Sequence, residues 1–156
     1  MDYQDYRKGR PRVLQLAGSV IATRHLLIPL MRRLRDCGYI VEAAASGDNR
    51  QAVNDITGEG FRFHRIGIKR NISLLNLAGS FFRIYRLLKR EDFDIVHLHT
   101  PIAAFVGRFA ARLAGVEKII YTAHGFYFHE NMNPALRLFH QFLEFMAGRL
   151  ATDLQI

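Results

Sequence analysis

Apolar positions along this chain form short continuous runs that alternate with helical stripes. Val13-Leu14-Gln15-Leu16-Ala17 is apolar at all but one position and is closed by Gly18, which predicts a buried strand. Leu27, Leu30, Met31 and Leu34 then recur at i, i+3, i+4 and i+7, the stripe of an amphipathic helix, with Arg32, Arg33 and Arg35 on its wet side. Gly38 is placed to end that helix. Residues 39–45 predict a second strand, and the turn cluster Ser46-Gly47-Asp48-Asn49 is able to cap a short helix ending near Gly58. Residues 61–66 alternate apolar with polar, as an outer, half-exposed strand does.

The second half repeats the rhythm. Leu74, Leu77, Ala78, Phe81, Ile84, Tyr85 and Leu88 make another helical stripe, with Arg83, Arg86 and Lys89 off it. Residues 94–98 predict a strand ending in His99-Thr100-Pro101, and residues 102–114 a helix of many small residues suited to close packing on a sheet. Residues 118–122 predict the next strand, ending in Ala123-His124-Gly125-Phe126. Pro134 opens a last helix with the stripe Leu136, Phe139, Leu143, Met146 and Leu150, and residues 152–156 predict one more strand. Alternating strands and helices imply an α/β fold: a Rossmann-like parallel sheet of about six strands with helices on both faces. Residues 1–12, polar and basic, are expected to be a flexible lead-in to a single domain spanning 13–156.

In such sheets ligands bind beyond the carboxyl ends of the strands, so chemistry is expected at three strand ends. The first is Gly18-Ser19, where a missing Cβ admits a close ligand and helix-terminal amides favour an anion. It matches neither the G-x-G-x-x-G fingerprint nor a Walker A loop, which argues against a dehydrogenase or P-loop nucleotidase. The second is His97-Leu98-His99-Thr100. Strand alternation puts both histidines on one side of the sheet, but no carboxylate or cysteine adjoins them, so no metal site is expected. His97 reads as a packed histidine and His99 as the more ligand-facing of the two. The third is His124-Gly125, a histidine directly after a buried strand, able to carry a proton or donate to an oxygen near neutral pH.

Composition narrows the class only in part. Of 156 residues, 49% are hydrophobic and 23% charged, ordinary for a globular chain, and no apolar run is long enough to span a membrane. One cysteine, Cys37, precludes an internal disulfide and reads as a small buried hydrophobe, which suits a cytoplasmic protein. The net charge of +8 favours anionic partners: a phosphorylated substrate, an anionic membrane surface or nucleic acid. The arginines are spread over several predicted helices rather than clustered beside aromatics, so nucleic-acid binding ranks lowest.

Taken in order, the segments Val13 to Ser19, Arg24 to Leu30, Ser46 to Arg50, Phe93 to Pro101 and Tyr121 to Phe126 resemble the N-terminal domain of glycosyltransferase family 4, of GT-B architecture. The resemblance runs from Arg12 onward and is nearest to the bacterial branch that builds surface polysaccharides on lipid carriers. It implies a retaining, sugar-nucleotide-dependent hexosyltransferase whose donor is a substrate and which needs no cofactor or metal. It implies that Gly18 and Ser19 lie by the donor diphosphate, that His124 lies by the transferred sugar, and that His99, Thr100 and Gly125 line the same cleft. Arg24, Asn49 and His129 fall on the acceptor side, facing a glycan or a polyprenyl-phosphate-linked acceptor. In the family a second Rossmann-like domain holds the nucleotide. Nothing in 1–156 corresponds to it, so this polypeptide is expected to be a truncated half that transfers sugar poorly or not at all. The alternative is a non-catalytic acceptor-binding or membrane-anchoring subunit of a split enzyme, completed by a donor-binding partner chain. The expected location is the cytoplasm, peripheral at the inner face of the membrane.

Overall fold

The structure, a computed structural model, describes residues 9–68, 74–122 and 153–155. Strand β1 is Arg12–Ala17. Helix α1 follows at residues 20–36 in three pieces: an α-turn Val20–Ala22, a π segment Thr23–Leu27 and an α-helix Ile28–Asp36. Then come β2 (Ile40–Ala45), α2 (Arg50–Gly58), β3 (Arg62–Arg65), α3 (Leu74–Glu91), β4 (Ile95–His99), α4 (Pro101–Ala114) and β5 (Lys118–Thr122). A three-residue strand, β6 (Asp153–Gln155), pairs along the outer edge of β5.

All pairings are parallel, in the order β3-β2-β1-β4-β5-β6. The chain steps outward from β1 to β3, then returns to lay β4 on the other side of β1. Strand order therefore reverses between β1 and β4. Every residue of β1 and β2 is buried, as a sheet covered on both faces requires, and this is why their sequences read as apolar runs. One face packs Leu14, Leu16, Ala44, Val96, Leu98, Ile119 and Tyr121 against α3 and α4. The other packs Ala17, Val41, Ala43 and Ala45 against α1 and α2. Gly107 of α4 lies so near Leu98 that a Cβ would fall 2.5 Å from Leu98 Cδ2, so the small residues of this helix do permit close approach.

The expected α/β architecture is present, with three local differences. β1 starts at Arg12, inside the stretch read as lead-in, and Arg12 is buried because its guanidinium meets acidic partners beneath the sheet. Helix α1 passes through a π segment, and its buried stripe is Leu27, Ile28 and Met31, while Leu30 and Leu34 are only half-buried. Cys37 is exposed rather than buried: it caps the end of α1, its amide donating to the Arg33 carbonyl, and Gly38, whose amide donates to the Arg35 carbonyl, turns the chain with φ +94°. The final helix expected after Pro134 lies outside the described residues.

Candidate functional site

The ends of β1 and β4 meet at the reversal of strand order, where open α/β sheets form their ligand crevice. Two residues close this point. The Gly18 amide donates to Thr100 Oγ1 at 3.0 Å. A Cβ on Gly18 would lie 2.8 Å from that same oxygen, so only glycine lets the two loops come together. Thr100 has φ +72° and ψ 137°, a conformation that β-branched residues rarely adopt. It is fixed from both sides, by buried His99 before it and by Pro101 opening α4 after it, and its carbonyl accepts from Ala104 N at 2.8 Å.

Ser19 begins α1. Its carbonyl accepts from the Thr23 amide and hydroxyl, at 3.0 and 3.1 Å, and its own hydroxyl makes no capping bond. The next amide, Val20 N, donates to Ser46 O at 2.7 Å. The anion cradle expected from free loop amides is thus partly spent inside the protein: the Gly18 and Val20 donors both have internal acceptors. Ser46 was not a sequence candidate, yet it organises the neighbouring strand ends. Its hydroxyl donates to Ile66 O at 2.5 Å and accepts from Ile68 N at 2.6 Å. Asn49 Oδ1 accepts from Ala52 N at 2.8 Å, so its carbonyl oxygen caps α2. Arg24 Nε pairs with Asp55 Oδ2 at 2.5 Å, which ties the π segment of α1 to α2.

His97 and His99 share one face of β4, with ring centroids 4.1 Å apart. His97 Nε2 bonds Thr122 Oγ1 on β5 at 2.8 Å, and His99 Nε2 donates to Gln15 Oε1 on β1 at 2.7 Å. Together they form a polar row across three central strands. The expected order of exposure is reversed: His99 is 1% exposed and His97 7%. His99 is deeper because it lies beside central β1, where Gln15 is fully buried. Gln15 Nε2 has no partner among the described residues. Gln15 escaped sequence reasoning because a single amide inside an apolar run reads as strand interruption rather than as a partner for a histidine 84 residues away. His124, Gly125 and His129 lie outside the described residues, so the structure brings together Gly18, Ser19, His99 and Thr100 of the sequence candidates.

A second polar cluster lies at the opposite, amino ends of the strands. Arg12 Nη2 donates to Glu42 Oε1 at 2.5 Å, and His64 Nε2 donates to Glu42 Oε2 at 2.5 Å. Arg12 also donates to the Glu91 carbonyl, and Arg62 Nη1 to Glu91 Oε2 at 2.7 Å. Burial acts to raise the Glu42 carboxyl, but the hydrogen bonds from His64 and Arg12 and the charges of both outweigh it, leaving it below its ordinary value. Glu42, His64 and Glu91 could geometrically hold a metal, but two guanidiniums already stand against these carboxylates and would repel a divalent cation. A shallow depression nearby, lined by Arg10, Pro11, Tyr39, Asp94, Glu117 and Lys118, likewise lies away from the crevice.

Comparison with known proteins identifies a family from sequence and a shared fold from solved structures. A UDP-Gal:α-D-GlcNAc-diphosphoundecaprenol α-1,3-galactosyltransferase of Escherichia coli is 42% identical over 85 residues, covering 54% of this chain and 22% of the relative. The Bacillus subtilis (strain 168) protein named glycosyltransferase EpsD is 36% identical over 108 residues, covering 65% of this chain and 26% of its own length. The chain thus spans about a quarter of the curated relatives it matches. Among solved structures, MurG of Acinetobacter baumannii superposes with a TM-score of 0.65 at 15% identity, covering 92% of this chain and 40% of MurG. A UDP-N-acetylglucosamine 2-epimerase of Rickettsia bellii gives a TM-score of 0.65 at 12% identity, covering 94% and 38%. These two likenesses carry the fold alone. Residues 15–153 match the description "Glycosyl transferase 4-like", and by this match across nearly its whole length the chain belongs to that family.

Proposed function

We propose that this chain is the N-terminal, acceptor-side portion of a nucleotide-sugar-dependent glycosyltransferase acting on a lipid-linked glycan. The family match over residues 15–153 carries this reading, and the diphosphoundecaprenol-linked acceptor named for the Escherichia coli relative supports its acceptor class. On this reading the donor diphosphate lies by Gly18 and Ser19, His124 acts beside the transferred sugar, and His99, Thr100 and Gly125 shape the cleft around it. Arg24, Asn49 and His129 belong to the acceptor side. The nucleotide sugar is a substrate, and the reading assigns no cofactor and no metal. A cleft that holds a donor needs two walls, and positioning is a large part of catalysis, so this polypeptide alone transfers sugar poorly or not at all.

The test is calorimetric titration of the chain with UDP-sugars, together with a transfer assay on a GlcNAc-diphosphate-lipid acceptor. Weak donor binding and no transfer are expected. Micromolar donor binding by this chain alone overturns the incomplete-cleft reading. Where a donor-binding partner chain restores transfer, His124→Ala lowers it by about 100-fold or more if His124 acts in the reaction; an unchanged rate removes His124 from the site.

A membrane-surface role is favoured by one further observation. On α3, Leu75 and Phe82 are 86% and 57% exposed, one face of the helix at i, i+7 spacing, and Arg86, Lys89 and Arg90 are exposed on the same side. Apolar and cationic side chains together suit an anionic bilayer, and we place the chain at the inner face of the cytoplasmic membrane on that basis. No helix among the described residues is long and apolar enough to cross a membrane.

A further inference from the structure

We propose that Thr100 is a positioning residue that latches the crevice: its hydroxyl holds the Gly18 amide, and an anionic oxygen of the ligand displaces it. The hydroxyl bridges the ends of β1 and β4 where strand order reverses, the place at which open α/β sheets form their ligand crevice. Gly18 and Thr100 are both partly exposed, so the hydroxyl can turn away without leaving a buried group unsatisfied.

Strain marks Thr100 as held for a purpose. A β-branched residue at φ +72° persists only where its surroundings over-determine it, and here they do. His99 is anchored to Gln15, Pro101 cannot leave the first turn of α4, and the Thr100 carbonyl is committed to Ala104. With the backbone fixed, the side chain is aimed at Gly18, and the absent Cβ there is what lets the oxygen reach the amide. The exchange has a clear direction. A phosphate oxygen is a stronger acceptor than a hydroxyl, because hydrogen bonds to a charged partner are about twice as strong. The ligand group that releases the latch is therefore a phosphate or diphosphate, which rests on the proposal above that the donor diphosphate lies at this loop.

A latch and a merely structural tie predict opposite signs. If the bond only orders the loop, removing the hydroxyl weakens ligand binding. If it is a latch, removal frees the Gly18 donor and tightens binding. The experiment is titration of the isotope-labelled chain with UDP at millimolar concentrations, following the Gly18 amide resonance. In wild type that resonance moves with UDP. Thr100→Ala binds about fivefold tighter, the equivalent of one net hydrogen bond no longer competed for. Thr100→Ser, which keeps the hydroxyl, restores the wild-type affinity. Should Thr100→Ala fold poorly, Thr100→Gly removes the hydroxyl and relieves the positive φ together, and must show the same tightening. A Gly18 shift with unchanged or weaker binding in the hydroxyl-free variants overturns the latch and leaves the proposed function standing. No Gly18 shift in any variant overturns both the latch and the placement of the diphosphate at this loop.

Discussion

Arg12, Glu42 and His64 arrive from three adjacent strands and meet beneath the last turn of α3, with Phe93 under the Arg12 guanidinium at 4.6 Å and edge-on to His64. Glu42 is the shared acceptor. Replacing it leaves an almost fully buried arginine and a buried histidine facing an uncharged group, while Glu91 still offers Arg12 a second carboxylate at 3.6 Å. Glu42→Gln is therefore expected to cost about 3 kcal/mol, the lower end for breaking a buried ion pair, measured as a fall in the urea midpoint. The same residue sets an acid limb. Its folded-state value is lowered, so on acidification the unfolded chain takes up the proton first, and stability rises with pH across the carboxylate range. That contribution is present above the ordinary glutamate value and disappears as pH falls through the folded-state one. Glu91 acts in the same direction: burial would raise it, but bonds and charges from Arg90, Arg62 and His64 lower it. Urea midpoints followed from about pH 7 to pH 3 should fall steeply for the wild type and less steeply for Glu42→Gln; parallel curves would exclude Glu42 as the source.

At the scale of elements, what was legible in the chain was what has a local cause. Period and punctuation located β1, β2, α2, α4 and β5 to within a residue or two, because two-sided burial makes β1 and β2 nearly continuous apolar runs and caps are written in single residues. Asn49 is such a cap. Asn49→Ala is expected to lose about 1 kcal/mol and Asn49→Asp to recover most of it, read from thermal unfolding. If Asn49 also contacts the acceptor, Asn49→Asp will restore stability without restoring acceptor binding; recovery of both leaves it a cap alone. What was not legible has a non-local cause. The π segment of α1 carries Arg24, whose partner Asp55 lies on another helix. The depth of His99 depends on Gln15, and the role of Ser46 depends on where β3 ends. Ser46→Ala removes both an acceptor for Ile68 N and a donor to Ile66 O at a half-buried position. It is expected to cost about 2 kcal/mol and to raise hydrogen exchange at Ile68 before the sheet centre; protection lost evenly would mean that Ser46 does not anchor the β3 end specifically.

Charge is meaningful only for the whole molecule. The sequence carries an excess of +8, and among the described residues the basic side chains are not spread evenly once ion pairs are assigned. Arg12, Arg24, Arg32, Arg62 and Arg65 each face a carboxylate, on β1, α1 and β3. The second half of α3 is different: Arg83, Arg86, Lys89 and Arg90 are all exposed, and Glu91 is the acid beside them, itself shared with Arg62 and Arg12. That leaves a cationic face carrying two exposed apolar side chains, Leu75 and Phe82, on the outer surface of the sheet's α3–α4 layer. Binding by such a face requires anionic lipid and weakens as salt shortens the screening length from about 10 Å at 0.1 M to about 3 Å at 1 M. Flotation with vesicles containing phosphatidylglycerol should recover the chain at low salt, and neutral phosphatidylcholine vesicles should not. The double variant Phe82→Ser, Arg86→Ser removes one contribution of each kind from solvent-facing positions, so the fold should survive while flotation falls. Recovery from neutral vesicles, or full recovery of the double variant, would move the contact to another surface. No recovery at low salt would remove the membrane from the account while leaving the family assignment, which rests on residues 15–153, untouched.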